Sequence, residues 1–404
     1  MQAVRIAENI YRISANIENA DLFEGIWPIP DGVSLNSYLV TGDKIALIDL
    51  VKDWDGAPVK MKDQLDSISD AMSDIDYLIV NHMEPDHTGW IKEFIQQNTE
   101  LKIYTTKKAV PLFRAFYGIE NNLHAIESGD TLDLGKSLVL QFEETPNIHW
   151  PETMMTYERH SGILFSCDAF GSFGSVKDAV FDDQLSEEEK IFFYNESLRY
   201  YSNIVSTFSF AVEKAIQKFA GFKINVVAPS HGIIYRKNPG EIIERYQKFA
   251  GYMNGPAEKE IAVIWSSMYG NTEQLLEHVL KGIESKNVPI TMHRVPQEHA
   301  SYVLASAWKS AGLVLGMPTY EYRMFPPMAH VLDIFDRSHV KNKKVFRFGS
   351  FGWSGGAQKQ LDELTKNLKW DFLEPVEFQG APDDDDKKLA YNRGQELAEK
   401  VLAL

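Results

Sequence analysis

Apolar residues over the first 250 positions come in short runs broken by turn residues. Ile10-Tyr11-Arg12-Ile13, Ser37-Tyr38-Leu39-Val40 and Ile45-Ala46-Leu47-Ile48 read as strands, the last two joined by a hairpin turn at Gly42-Asp43. Val59, Met61, Leu65, Ile68 and Met72 recur at helical spacing and predict a helix over 57–73. Tyr77-Leu78-Ile79-Val80 is an apolar run bounded by polar residues and reads as a buried strand. After Trp90 the pattern predicts a helix, a strand at 101–104, a helix around 107–117, strands at 138–142 and 163–165, a helical region over about 186–218 and a strand at 224–228. Such a succession predicts a β-rich sandwich flanked by helices.

The rhythm changes near residue 253. Met253-Asn254-Gly255-Pro256-Ala257-Glu258-Lys259-Glu260 is short and polar, and its Gly-Pro step marks a linker. Beyond it strands (261–265, 290–294, 312–316, 344–348) alternate with helices (272–285, 298–310, 326–336, 356–368). A late strand and a final helix at about 386–403 complete the series. Strict β/α alternation predicts an open, doubly wound parallel sheet. The expected domains are therefore 1–253 and 258–404. Asp383-Asp384-Asp385-Asp386 precedes the last helix and reads as acid at a solvated helix N-terminus.

Bulk properties narrow this picture only a little. A chain of 404 residues exceeds what one core usually supports, which agrees with two domains. The net charge of −16 disfavours nucleic acid as a partner. One cysteine, Cys167, excludes a disulfide framework and a cysteine-ligated iron–sulfur site within these residues. A reducing, cytoplasmic setting is expected, since no window reaches eighteen apolar residues and the start lacks a signal-peptide pattern.

Candidate chemistry concentrates first in Asn81-His82-Met83-Glu84-Pro85-Asp86-His87-Thr88-Gly89, directly after a strand. It places His82, Glu84, Asp86 and His87 within six residues, and the carboxylates would repel one another without a cation. His149, Asp168 and His231 each come after a predicted strand, where ligands converging on one sheet edge would lie. Seven ligands exceed one tetrahedral ion and suit two ions bridged by a carboxylate. Imidazole mixed with hard carboxylate oxygens, and no well-placed thiolate, favours iron or manganese over zinc. Taken singly, each histidine reads more simply as a structural residue; the cluster reverses that balance. Cys167 reads as a small buried hydrophobe.

A second candidate site lies in the regular half. Ser266-Ser267-Met268-Tyr269-Gly270-Asn271-Thr272 comes after the first strand there and opens a helix, where backbone N–H groups, hydroxyls and the helix dipole suit a phosphate. It lacks the spacing of a dinucleotide or nucleoside-triphosphate loop, which favours a mononucleotide. Met317-Pro318-Thr319-Tyr320-Glu321 and Ser350-Phe351-Gly352-Trp353-Ser354-Gly355-Gly356 come after later strands, at the ends where ligands of such sheets bind. The hydroxyl-rich first loop is similar to the flavodoxin phosphate loop, and the three loops together imply FMN.

The metal motif resembles that of the metallo-β-lactamase fold, H-x-H-x-D-H and then His, Asp and His, with Glu84 in place of the second histidine. With the flavodoxin-like half, the whole chain resembles the flavodiiron protein family. That resemblance implies a metallo-β-lactamase-like αββα sandwich followed by a flavodoxin-like doubly wound parallel sheet. It implies iron held by His82, Glu84 and His149, a second iron held by Asp86, His87 and His231, and Asp168 bridging them. In some members the residue matching His87 stands off the iron. Tyr200 or Tyr201 would supply a phenol near the metals, although packed aromatics on a helix are the simpler reading. The implied activity is transfer of electrons through FMN to a diiron centre that reduces dioxygen to water, nitric oxide to nitrous oxide, or both. The implied donor is external, a rubredoxin or a reduced deazaflavin coenzyme. The implied assembly is a head-to-tail homodimer or a dimer of dimers, with no membrane or nucleic-acid partner. Two rivals remain at this level: a dizinc hydrolase fused to a flavodoxin-like domain, and a pure electron carrier.

Overall fold

A computed structural model of the chain describes residues 2–68 and 72–404. Two compact units emerge, Met1–Tyr201 with Phe210–Gln247, and Ser202–Ser209 with Lys248–Leu404.

The first unit is a sandwich of two sheets. One has seven strands in the order Val4–Ala7, Ile10–Ile17, Val33–Thr41, Ile45–Ile48, Tyr77–Ile79, Lys102–Thr106 and Leu123–Ile126. The other has five, Thr131–Asp133, Val139–Glu144, Met154–Glu158, Ile163–Cys167 and Val226–Pro229. Ile13, Leu39, Leu47, Leu78, Leu140 and Leu164 fill the interior, each 0–1% exposed. The strand Val33–Thr41 is buried at nearly every position rather than alternately, so its run of apolar and small polar residues reflects cover on both faces.

Several elements differ from the pattern-based expectation. The helix expected over 57–73 ends at Asp66, and its stretch 69–71 lies outside the described residues. A separate 3-10 turn covers Met72–Asp74. The helical region 186–218 is three pieces: an α-helix Glu187–Tyr200, a π turn Tyr201–Val205 continuing into a 3-10 turn, and an α-helix Ser209–Phe219. Its start is a capping box, with Ser186 and Glu189 satisfying each other's backbone N–H groups. Short strands such as Leu22–Phe23 and Trp27–Pro28 leave too little periodicity to be read in advance.

The second unit is a sheet in the order Ile290–Arg294, Glu258–Trp265, Ser310–Gly316, Lys344–Phe351 and Asp371–Phe372. Every pairing in it is parallel. Val376–Gln379 also joins the strand Lys344–Phe351 in parallel. Helices Asn271–Glu284 and Asp384–Leu402 pack on it through Leu275, Val279, Ile283, Leu397 and Val401. Gly282 and Gly394 let the two helices approach closely. A Cβ on Gly282 would sit 2.1 Å from the Tyr391 carbonyl oxygen, and one on Gly394 would sit 2.3 Å from that of Val279. Among the described residues no helix is long and apolar enough to cross a membrane.

Candidate metal centre

Four chain segments deliver the acidic and imidazole side chains to one edge of the sandwich. The first begins at Asn81, whose backbone N–H and side-chain amide both donate to Asp49, at 2.8 and 3.1 Å. Thr156 donates to the Asn81 side-chain carbonyl at 2.7 Å. The chain then forms a helical turn rather than an open loop. Glu84 is the N-cap and Pro85 opens a short helix Pro85–Thr88, a position where proline's missing N–H costs nothing. The turn sends Glu84 one way and Asp86 with His87 the other, so one hexapeptide serves two places. His149 lies just beyond the left-handed Asn147 (φ 68°), and Asp168 directly after the left-handed Cys167 (φ 53°). Non-glycine residues in that region carry strain that ligand-bearing turns commonly hold.

The seven side chains fall into two groups around a shared carboxylate. His82, Glu84, His149 and Asp168 bring one donor atom each within 4.8 Å of one another, and so do Asp86, His87 and His231. Asp168 Oδ2 lies 3.4 Å from His82 Nε2 and 3.5 Å from His149 Nε2. Its Oδ1 lies 2.9 Å from His87 Nε2 and 3.2 Å from His231 Nε2. Glu84 Oε2 reaches His149 Nε2 at 2.8 Å and His82 Nε2 at 3.3 Å. Asp86 Oδ2 lies 3.3 Å from His231 Nε2 and 3.5 Å from His87 Nε2. Ligands about 2.0–2.2 Å from one ion stand roughly 3 Å apart, so these separations suit coordination.

All four imidazoles turn Nε2 inward. For two of them a partner on the other nitrogen fixes this: Glu152 Oε1 takes His82 Nδ1 at 2.8 Å, and the Ser34 carbonyl takes His231 Nδ1 at 3.0 Å. Such backing of a ligating histidine raises its basicity and sets its tautomer. His87 Nδ1 faces Cys167 Sγ at 4.0 Å. Asp49, His87 and Cys167 form a third, smaller group of possible donors. The thiol there is held above its ordinary range, by burial first.

The electrostatics call for a cation. Asp86, Asp168 and the four histidines are buried, and Asp86 Oδ1 and Oδ2, Asp168 Oδ2 and His231 Nε2 have no hydrogen-bond partner among the described residues. Burying an ionised carboxylate so exposed to low dielectric would cost several kcal/mol. Burial pushes the Glu84 carboxyl up, but His149 and His82 hold it well below its ordinary range. Asp168 behaves alike: burial opposes ionisation, and His87 and His231 overcome it. Burial would lower the His82 and His231 imidazoles, yet the facing carboxylates raise them to about 10 and about 9. The carboxylates thus bind positive charge, and a divalent ion competes with protons for the same nitrogens.

Aromatic rings wall the site. Trp150 meets the His82 ring edge-on at 5.1 Å, while Phe23 and Tyr200 each lie 5.6 Å from His231. Tyr200 is fully buried, and burial followed by Asp168 raises its hydroxyl well above the ordinary range. Tyr201, also buried, packs against Tyr246 at 5.1 Å. Pattern reading missed Glu152, Asp49 and Glu24. Trp27 Nε1 donates to the Glu24 carboxylate at 3.0 Å. No spacing signal marks Glu152 and Asp49, because each acts through a partner distant in sequence.

In the second unit a cleft of about 310 Å³ opens at the carboxyl ends of the parallel strands. Its lining includes Ser267, Met268, Tyr269 and Asn271 from the first expected loop, Pro318, Thr319, Tyr320 and Glu321 from the second, and Ser350, Phe351, Gly352 and Trp353 from the third. Gly380 joins them, a residue absent from the expected set. Ser266, Gly270, Thr272, Ser354 and Gly355 are not part of the lining. Thr272 Oγ1 instead bonds Ser350 Oγ at 3.0 Å, tying the first and third loops. The helix Asn271–Glu284 starts at left-handed Gly270 (φ 90°) with no side-chain cap. Its first N–H groups are thus not taken up by a capping side chain. The buried hydroxyl of Thr319, in the lining, lacks a hydrogen-bond partner among the described residues. A phosphate with a flat ring system fits such a donor set.

Known proteins resemble this chain in sequence and in fold. A family model described as ODP family beta lactamase matches residues 33–232, and one described as Flavodoxin matches 263–394. The anaerobic nitric oxide reductase flavorubredoxin of Escherichia coli (strain K12) is 32% identical over 374 residues, covering 91% of this chain and 76% of that protein. The rubredoxin oxygen:oxidoreductase structure from Desulfovibrio gigas aligns with a TM-score of 0.93 at 26% identity, over 100% of this chain and 99% of that one. The flavodiiron protein from Giardia intestinalis aligns with a TM-score of 0.93 at 25% identity, over 100% and 97%.

Proposed function

The chain belongs to the flavodiiron protein family, and on that premise we propose how it works as an oxidoreductase. FMN held in domain 258–404 would accept electrons from an external donor, and a non-haem diiron centre held in domain 1–253 would be where they are used. A metal pair held there would supply two electrons and a reduced flavin two more: four electrons and four protons take one dioxygen to two waters, and two electrons and two protons take two nitric oxide molecules to one nitrous oxide and one water.

The observation that carries this reading is the division of Asp168, with Oδ2 toward His82 and His149 and Oδ1 toward His87 and His231. A carboxylate presenting one oxygen to each histidine pair is what a bridge between two ions requires. His82, Glu84 and His149 would hold one ion, and Asp86, His87 and His231 the other. The oxygen-rich donor set with Glu84 supports iron over zinc.

The chain's own residues set the conditions for reaction. Glu152 and the Ser34 carbonyl orient His82 and His231. Trp150, Phe23 and Tyr200 exclude water from the face they cover, which strengthens every charge interaction inside. Burial keeps the Tyr200 hydroxyl protonated in that wall, and Tyr201 is assigned to packing against Tyr246. In the second unit Ser267, Asn271 and the free start of the helix Asn271–Glu284 would take the phosphate, and Tyr320 and Trp353 would flank the ring.

The relative from Desulfovibrio gigas is named for a rubredoxin donor and oxygen, and the one from Escherichia coli for nitric oxide. For this chain a separate rubredoxin or a reduced deazaflavin coenzyme is proposed as donor, with a head-to-tail homodimer and a cytoplasmic location. Metal and flavin analysis with gas-consumption assays on the chemically reduced protein tests the function. Zinc without flavin would overturn it.

A further inference from the structure

His231 reaches the cluster from a segment with no regular structure of its own, Ser230–Gly232, just beyond the strand Val226–Pro229. Something must hold that segment if His231 Nε2 is to stand at a fixed place between Asp86 and Asp168. The strand Val33–Thr41 does so. Asn36 is its centre: the backbone N–H donates to the Ser230 carbonyl at 2.8 Å. Its side-chain Nδ2 donates to the Pro229 carbonyl at 2.9 Å and the Gly232 carbonyl at 3.0 Å. One amide thereby grips the chain on both sides of His231. Tyr38 adds a bond to the Pro229 carbonyl at 2.6 Å, and Ser34 Oγ accepts from the Gly232 N–H at 2.8 Å.

The orientation of that amide is itself determined. Arg12 Nε donates to Asn36 Oδ1 at 2.8 Å. A guanidinium only donates, so the oxygen must face Arg12 and both amide hydrogens are left for the two carbonyls. Arg12 is 0% exposed, and its Nη1 and Nη2 have no hydrogen-bond partner among the described residues. Burial lowers it to about 10, with Tyr38 opposing, so it stays charged at neutral pH. A buried cation is a costly way to hold one amide unless the amide's direction matters.

We propose that Asn36 is a positioning residue for the divalent ion held by Asp86, His87 and His231, its amide clamping the Pro229–Gly232 turn and Arg12 fixing the way that amide faces. This rests on the dimetal reading of the cluster. Asn36→Asp is the informative change, since it keeps the volume and the Arg12 partner. It loses both donors and sets a negative charge against two carbonyl oxygens.

The test is an anaerobic Co²⁺ titration of the metal-free full chain, read by the ligand-field absorption of each bound ion. The parent protein should bind two ions. Asn36→Asp should bind one as tightly as the parent, and the second roughly tenfold to a hundredfold more weakly. A merely structural fault would weaken both ions together or lower the melting temperature without separating them. Two ions bound with parental affinities, or both weakened equally, overturn the proposal. If Asn36→Asp does not fold, Arg12→Met carries the test: it keeps the donors but frees the amide to turn, and should selectively weaken the second ion. Parental affinities in Arg12→Met would overturn it. A parent that binds two Co²⁺ yet reduces neither gas when iron-loaded refutes the redox function and leaves the clamp standing. A parent that binds only one Co²⁺ refutes both.

Discussion

Glu84 Oε2 stands 2.8 Å from His149 Nε2, joining a helix N-cap to a turn 65 residues further along the chain. Both atoms also face His82, so the pair closes one half of the cluster. In the proposed centre this carboxylate adds a hard oxygen donor to the half-site, which favours iron over zinc. Glu84→His is therefore expected to shift bound metal from iron toward zinc and to abolish gas reduction. Metal analysis beside oxygen- and nitric-oxide-electrode assays checks it; iron retained with full activity would contradict it.

Glu152 fixes His82 through Nδ1 and also accepts the Met83 backbone N–H at 3.0 Å. Glu152→Ala frees the ring and removes the charge behind it. The ion held by His82, Glu84 and His149 should then bind roughly 10–100-fold more weakly. Competition with a chelator of known affinity measures this, and unchanged retention of both ions would contradict the assignment.

The principal architecture is legible in the sequence because its periods are plain: Tyr77–Val80 is a continuous apolar run, and the β/α alternation after residue 260 repeats without interruption. That these candidate donors come together is legible for a related reason, since His82, Glu84, Asp86 and His87 lie close together and the other three each come after a strand. Glu152, Asn36 and Arg12 are not legible, because their significance lies in contacts made across 70, 193 and 24 residues. The break of the 186–218 helix at Tyr201–Val205 is equally hidden, since no glycine or proline marks it in the sequence.

The cleft of the second unit depends on a close backbone approach. A Cβ on Gly349 would stand 1.7 Å from the Met317 carbonyl oxygen, next to Pro318 and Thr319 in the lining. Gly349→Ala must push that loop outward, at a cost of about 1–3 kcal/mol. FMN affinity, measured by quenching of flavin fluorescence, should fall about tenfold for each 1.4 kcal/mol that appears as lost binding. Parental affinity would show that the loop does not hold the flavin.

Lys343 is 1% exposed and donates to the Trp308 and Ser310 carbonyls at 2.8 and 2.7 Å. Burial lowers its ammonium to about 7, with Glu260 opposing. Between pH 7 and the ordinary lysine range the unfolded chain binds the proton and the fold does not, so stability rises with pH there. Below pH 7 both states are charged and the burial cost, on the order of a few kcal/mol, is fully present. The melting temperature of the parent relative to Lys343→Met should therefore be flat below pH 7 and climb from pH 7 to 10. A flat difference throughout would contradict it.

The central claim is that this protein couples a flavin to a dimetal site that reduces a diatomic gas. Anaerobic stopped-flow with the fully reduced protein, mixed separately with dioxygen and nitric oxide, tests it most directly. The expected result is oxidation of the FMN and the iron centre within the same turnover, at two iron ions and one FMN per chain, with at least one gas. Flavin and iron that stay reduced in the presence of both gases would contradict the account.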